Sequence, residues 1–129
     1  MQPKRLLVID DEDDIRDVAG VTLELTRGWT IETADCGKMG IERAKVFRPD
    51  AILLDVMMPD LDGPATFRAL QSGDDTRNIP VIFLTAKVQP ADLRKFTQLG
   101  VRGVIAKPFD PLKLAGQIGD LLDWKEEAA

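Results

Sequence analysis

Short apolar runs bounded by turn residues alternate along this chain with longer stretches whose apolar residues recur every three to four positions. The first run, Leu6-Leu7-Val8-Ile9, sits within residues 4–10 without polar alternation, which predicts a strand buried on both faces. A helix is expected over residues 13–26, with Ile15, Val18, Ala19, Thr22 and Leu23 on one face and Gly28 at its end. Residues 29–34 do alternate, Trp29, Ile31 and Thr33 against Thr30 and Glu32, and predict an edge strand with one wet face. A second amphipathic helix runs from Gly37 to Phe47 and is stopped by Pro49-Asp50. The next run, Ala51-Ile52-Leu53-Leu54, is again wholly apolar and ends on Asp55, with turn residues Pro59, Asp60, Asp62 and Gly63 close behind.

Pro64 suits the first turn of a third helix that buries Phe67 and Leu70. Residues 72–78 are polar and turn-like, and residues 79–85 read as a fourth strand with Pro80 tolerated near its start. A fourth helix over 90–99 carries Leu93, Phe96 and Leu99, expected mainly in the core, and Gly100 ends it. Residues 101–106 form a fifth strand. Asp110 is placed as a helix cap with Pro111 as first helical residue. The last helix carries Leu114, Ile118, Leu121 and Leu122 and is expected to fray over residues 125–129. Trp124 either packs on the sheet or marks a contact.

Five strand–helix alternations with short connections predict an α/β domain, a parallel sheet with helices on both faces. The 129 residues suit one domain, with its core over about residues 4–124. No linker or repeat interrupts it. A final helix closing near the C-terminus is what a stand-alone chain without an output domain would have.

Composition narrows the chemistry. The net charge of −5 argues against a nucleic-acid partner, since phosphate binding needs clustered Lys and Arg. The single cysteine, Cys36, allows no internal disulfide and reads as a small packing residue in a cytoplasmic protein. No apolar run approaches membrane-spanning length. With no histidine in the chain, imidazole fills no role as base, metal ligand or phosphodonor.

Four strands end in polar residues: Asp10-Asp11, Asp55, Thr85 and Lys107. A parallel sheet brings these ends to one edge, where ligands bind in open α/β sheets. Three carboxylates together raise at least one pKa unless a hard cation compensates, and Mg²⁺ suits carboxylates, water and a phosphate oxygen. Lys107 supplies a point positive charge for an anion, and Thr85 a hydroxyl donor. A nucleophilic carboxylate, a metal, a cation and a donor are the parts for phosphoryl transfer to an aspartate. Glu12, Asp13 and Asp14 read as acids solvating a helix start, and Asp60 and Asp62 as loop-forming residues.

At this point the chain resembles a family. Val8-Ile9-Asp10-Asp11-Glu12, Asp55-Val56-Met57-Met58-Pro59 with Asp62-Gly63, Thr85-Ala86 and Lys107-Pro108-Phe109 are similar to the motifs of two-component response-regulator receiver domains, over essentially the whole chain. The resemblance implies a flavodoxin-like sheet of order 2-1-3-4-5. It implies a phosphorylation-dependent signalling module, not a conventional turnover enzyme. Asp55 would accept a phosphoryl group from a sensor histidine kinase or histidine phosphotransfer protein. Asp11 and Asp55 would ligate Mg²⁺, Asp10 through water, with the backbone carbonyl of Met57 completing the set. Lys107 would pair with phosphoryl oxygens, Thr85 would swing toward the modified aspartate, and Ala86 would leave room for it. The Lys107-Pro108 bond would be cis. Partner binding, including a dimer, would use the face of the fourth helix, fifth strand and fifth helix.

Two positions set this chain apart. Val104 stands where the family often has an aromatic residue that follows the threonine, so switching would instead pass through residues 86–90, Leu93, Phe96 and the fifth strand. Met57 and Lys87 would flank the water path to the acyl phosphate, which predicts slow self-dephosphorylation. Among competing functions, a phosphohydrolase of the haloacid-dehalogenase type needs a second acid two residues after the nucleophile, where this chain has Met57. A flavodoxin-like cofactor carrier needs Ser, Thr and Gly phosphate donors, where this chain has five acids from Asp10 to Asp14. The receiver segment of a longer regulator is the remaining alternative.

Overall fold

A computed structural model of the chain describes residues 3–124, so the expected fray over 125–129 lies outside the described residues. Ten elements alternate: β1 (Arg5–Ile9), α1 (Asp13–Arg27), β2 (Thr30–Ala34), α2 (Gly37–Phe47), β3 (Ala51–Asp55), α3 (Gly63–Ser72), β4 (Val81–Thr85), α4 (Pro90–Leu99), β5 (Gly103–Ala106) and α5 (Pro111–Leu122). All strand pairs are parallel, and the sheet order is β2-β1-β3-β4-β5. The predicted flavodoxin-like α/β architecture is therefore what the chain adopts.

Side chains alternate across the pleat, so each inner strand feeds two cores. Leu7, Ile9, Ile52, Leu54 and Phe83 face α2, α3 and α4, where Phe47, Phe67, Leu70 and Phe96 meet them. Leu6, Val8, Leu53, Ile82, Leu84 and Ile105 face α1 and α5, meeting Ala19, Leu23, Leu114, Ile118 and Leu122. Phe83 anchors the first core through edge-on contacts with Phe67 and Phe96, at ring-centroid distances of 6.1 and 5.1 Å. Such pairs add about 0.5–1.5 kcal/mol beyond the area they bury. This double-sided burial is why the central strands carry no polar alternation, and it leaves only the strand ends free for chemistry.

Asp110 and Gly28 bound their helices as the sequence reading expects, whereas Asp62, read there as loop-forming, also caps a helix. Asp62 accepts the Ala65 N–H at 2.9 Å to open α3, and Asp110 accepts the Leu112 N–H at 2.9 Å to open α5, each with proline in the first turn. Gly28 ends α1 at φ 68°, a conformation that suits glycine. Asp60 takes a positive φ of 67° in the loop after β3, a turn role. The Lys107-Pro108 bond is cis. Trp124 packs edge-on to Trp29 at 5.3 Å and joins the α1/α5 core, while Lys4 lies over its ring.

Some boundaries differ. β4 begins at Val81 because the Ile79 N–H is spent on Thr76 in a turn and Pro80 has no N–H to give the ladder. β5 begins at Gly103, because the chain leaves α4 through Gly100 at φ 105° and must turn first; Val101 still packs in the core. Val18 is 41% exposed, so the buried face of α1 is narrower than expected, carried by Ala19, Gly20 and Leu23. Leu93 is also exposed at the edge of α4, whereas Phe96 is buried and Leu99 partly buried.

Candidate functional site

Parallel topology puts the C-terminal ends of β1, β3, β4 and β5 on one edge, and the expected polar residues gather there. Asp10 is completely buried just past β1. Its Oδ1 accepts the Glu12 N–H at 2.9 Å, and its backbone carbonyl accepts Arg16 Nη1 at 2.7 Å. Arg16 also bonds Asp13, so one guanidinium braces the turn that carries Asp10, Asp11 and Glu12. Asp55 closes β3 at 2% exposure, and its Oδ1 accepts the Met57 N–H at 3.3 Å. Asp11 is exposed at the mouth. One carboxylate oxygen from each of Asp10, Asp11 and Asp55 lies within 4.8 Å of the others.

Lys107 reaches into this acid cluster from the end of β5. Its Nζ lies 2.9 Å from Asp10 Oδ2, 3.1 Å from Glu12 Oε1 and 3.3 Å from Asp55 Oδ1. Burial first, then the adjacent Asp10 charge, push the Asp55 carboxyl up to about 7, against the lowering pull of Lys107. Burial works against the Lys107 ammonium, but pairing with Asp10, Asp55 and Glu12 outweighs it and holds its pKa above the ordinary lysine value. The buried Asp55 Oδ2 has no hydrogen-bond partner. An orphaned, buried carboxylate oxygen beside two further carboxylates fits a hard divalent cation and an incoming electrophile.

Thr85 is buried at the end of β4, one residue beyond the Asp55–Leu84 register pair, and its hydroxyl accepts the Lys87 N–H at 3.0 Å. Ala86 is exposed at the rim. Met57 follows Asp55 with its side chain 59% exposed. Met57 and Lys87 share a cavity of about 530 Å³ with Asp62, Asp92, Lys95 and Phe96. Val104 is partly buried opposite Phe83.

Two residues escaped the sequence reading. Glu12 was expected only to solvate a helix start; it occupies the N-cap position of α1 without capping it, and its carboxylate turns to Lys107 instead. Arg16 stands in a helical face with no local signal that it would reach Asp10. Both contacts depend on where the β1–α1 turn lies in space.

An open α/β sheet with a buried acid at the end of its middle strand, two acids after its first strand and a lysine after its last has the acidic pocket of a receiver-type domain. A family match to the response regulator receiver domain spans residues 6–118, and the chain belongs to that family, a signalling module. It is 33% identical over 126 residues to the alkaline phosphatase synthesis transcriptional regulatory protein PhoP of Bacillus subtilis, covering 98% of this chain and 51% of that protein. It is 36% identical over 108 residues to the probable transcriptional regulatory protein TcrX of Mycobacterium tuberculosis, covering 84% and 45%. The chain thus spans about half the length of these curated relatives. Among solved structures it resembles the chemotaxis protein CheY4 of Vibrio cholerae, with a TM-score of 0.86, 28% identity and coverage of 92% of this chain and 98% of that one. It also resembles the receiver domain of sensor histidine kinase PA1611 of Pseudomonas aeruginosa (TM-score 0.82, 26% identity, coverage 94% and 98%), in which a magnesium ion is coordinated in the active-site cleft. The receiver family implies a histidine kinase partner. No described helix is long and apolar enough to cross a membrane.

Proposed function

We propose that the chain is a phosphorylation-switched module of a two-component system in which Asp55 is the phosphoacceptor. The observation that carries this reading is the buried, unpartnered Asp55 Oδ2 with Lys107 Nζ 3.3 Å from the sister oxygen. Oδ2 attacks phosphorus of a phosphohistidine on a sensor kinase or phosphotransfer protein. The P–O bond forms as the P–N bond breaks, and the imidazole leaves.

Asp10, Asp11 and Asp55, with the Met57 carbonyl, would hold Mg²⁺. Bound there, the ion supplies positive charge that keeps Asp55 ionised and offsets the charge of the phosphoryl oxygens. Lys107 neutralises one of those oxygens. Ala86, lacking a side chain beyond Cβ, leaves space for the group. Thr85 exchanges its Lys87 N–H partner for a phosphoryl oxygen and draws the 86–90 loop with it. With Val104 in place of an aromatic, the change passes through that loop to the α4–β5–α5 face, where a downstream protein or a second copy docks. The module works in the cytoplasm through protein contacts. The curated relatives, about twice as long, point to the receiver of a longer regulator, and the chemotaxis protein CheY4, matched over 98% of its chain, to a single receiver.

Intact mass after incubation with acetyl phosphate and Mg²⁺ tests this directly. The wild type gains one phosphoryl group, and Asp55→Asn or omission of Mg²⁺ abolishes the gain. If neither acetyl phosphate nor beryllofluoride engages the wild type, Asp55 is not an acceptor. Amide spectra with beryllofluoride then test the route: shifts across residues 86–106 are expected, and an unchanged segment rejects it.

A further inference from the structure

We propose that Glu12 is a positioning residue that shares Lys107 with Asp10 and Asp55 in the unmodified protein, drawing it toward the rim, and that must release it when the phosphoryl group arrives. The inference rests on the reading of Asp55 as acceptor for its second half only.

The geometry has three parts. The Lys107 ammonium has three N–H donors and three acids around it, Asp10, Glu12 and Asp55, at 2.9, 3.1 and 3.3 Å. The Glu12 contact is a hydrogen bond, Nζ donating to Oε1, whereas Asp10 Oδ2 and Asp55 Oδ2 are both buried without a hydrogen-bond partner. The lysine thus divides its N–H donors between the buried pair and one acid outside it. Glu12 is also the most replaceable of the three: its side chain is 60% exposed, against 0% for Asp10 and 2% for Asp55. Water can take its place at little cost, so it is the partner surrendered when a better acceptor enters.

Its location fixes the direction of the pull. Glu12 is the residue before α1, and its own N–H is held by Asp10 Oδ1 at 2.9 Å. The backbone at residue 12 is therefore pinned to the acid pair, while its carboxylate draws the ammonium toward the rim. A tether of this kind has two opposite effects. The negative charge of Glu12 adds to the attraction of the site for a divalent cation. It also competes with phosphoryl oxygens for Lys107 and repels them. Removing the charge should weaken Mg²⁺ binding and strengthen binding of a phosphoryl mimic. Loss of a merely structural contact would weaken both, because a loosened β1–α1 turn misplaces every ligand it carries.

The test uses the whole chain as wild type and Glu12→Gln, which keeps the length and the acceptor oxygen but removes the charge. Mg²⁺ affinity is measured by calorimetry, and beryllofluoride affinity at saturating Mg²⁺ by amide shifts. The Lys107 side-chain resonances are compared in metal-free protein. For a partly exposed charge pair, the expected shifts are about two- to five-fold in each affinity, in opposite directions, with a displaced Lys107 signal. Affinities that both fall, both rise or both stay unchanged overturn the tether. Should wild type take no beryllofluoride, the acceptor reading falls by itself. The metal and lysine measurements then decide: weaker Mg²⁺ binding with a displaced Lys107 signal supports the tether, and any other result overturns it.

Discussion

Lys107 Nζ lies 2.9 Å from Asp10 Oδ2 although β3 and β4 separate β1 from β5 in the sheet. The lysine crosses the mouth of the site to neutralise a carboxylate with no solvent exposure, and touches Asp55 on the way. Removing one partner of a buried ion pair costs more than the pair contributes, because the other charge is left behind. Lys107→Met should therefore destabilise metal-free protein at neutral pH by about 2–4 kcal/mol. The loss should shrink as pH falls below about 7 and Asp55, whose carboxyl is pushed up to about 7, takes a proton. Urea unfolding at two pH values checks this, and a loss independent of pH would assign the effect to packing.

Asp55 gives the opposite sign. Its folded pKa, about 7, lies above the 3.8 of an unperturbed aspartate. Between those values the folded state keeps a proton that the unfolded chain has released, so stability falls as pH rises from about 4 to about 7. Below that window the group contributes nothing, and above it the full penalty is present. Asp55→Asn mimics the protonated acid and removes the slope. In EDTA the variant should match wild type near the acid end and exceed it by on the order of 2–4 kcal/mol at slightly alkaline pH. A gap between the two denaturation curves that is constant with pH would contradict this origin.

Much of this site was legible because strand ends are legible. Wholly apolar runs ending in Asp10 and Asp55 read as strands buried on both faces, the alternation of strands and helices made the sheet parallel, and parallel strands bring Asp10, Asp55, Thr85 and Lys107 together at one edge. The acids of the first turn were harder. Asp13, Asp14 and Glu12 look alike to a helix-start rule, and only the placement of Lys107, 95 residues away, separates Glu12 from the others. The exposure of Val18 was hidden for a related reason: helical periodicity gives the direction of a face, whereas its width depends on how α1 sits between the sheet and α5. The register of α3 against β3 was likewise beyond pattern reading.

That register makes Gly63 a support for the acceptor. Its N–H donates to the Val56 carbonyl at 2.9 Å, folding the loop back onto the end of β3. A Cβ at this position would sit 2.7 Å from both the Asp55 carbonyl oxygen and the Val56 Cα. Both are backbone atoms, so no side-chain rotation relieves the clash, and the strand end must move. Gly63→Ala should cost about 1–3 kcal/mol of stability. It should also slow phosphorylation of Asp55 on the order of 10- to 100-fold, as misplacement of a reacting group does. Rates with acetyl phosphate under conditions where the variant is folded would check it. A normal rate would mean that Asp55 is held by its other contacts.

The wall beside Asp55 bears on how long a phosphoryl group would last. Met57 and Lys87 line one cavity, with Asp62, Asp92, Lys95 and Phe96 around it. In the unmodified protein the Lys87 N–H donates to the Thr85 hydroxyl, which sets the base of its side chain beside the site. Met57 leaves Asp55 by only two residues and presents a flexible thioether that neither donates to water nor orients it. On the proposed reading, water attacking the acyl phosphate would pass this pair, and neither residue would help to align it. Replacing them by Met57→Asn and Lys87→Ala introduces an amide able to hold water and removes a long stem from the approach. The doubly substituted protein should lose its phosphoryl group about tenfold faster, a barrier change of about 1.4 kcal/mol. The decay is followed by intact mass after the donor is removed, with Mg²⁺ saturating in both proteins. Equal decay rates would place the control of lifetime elsewhere, with Lys107 and the acids that compete for it.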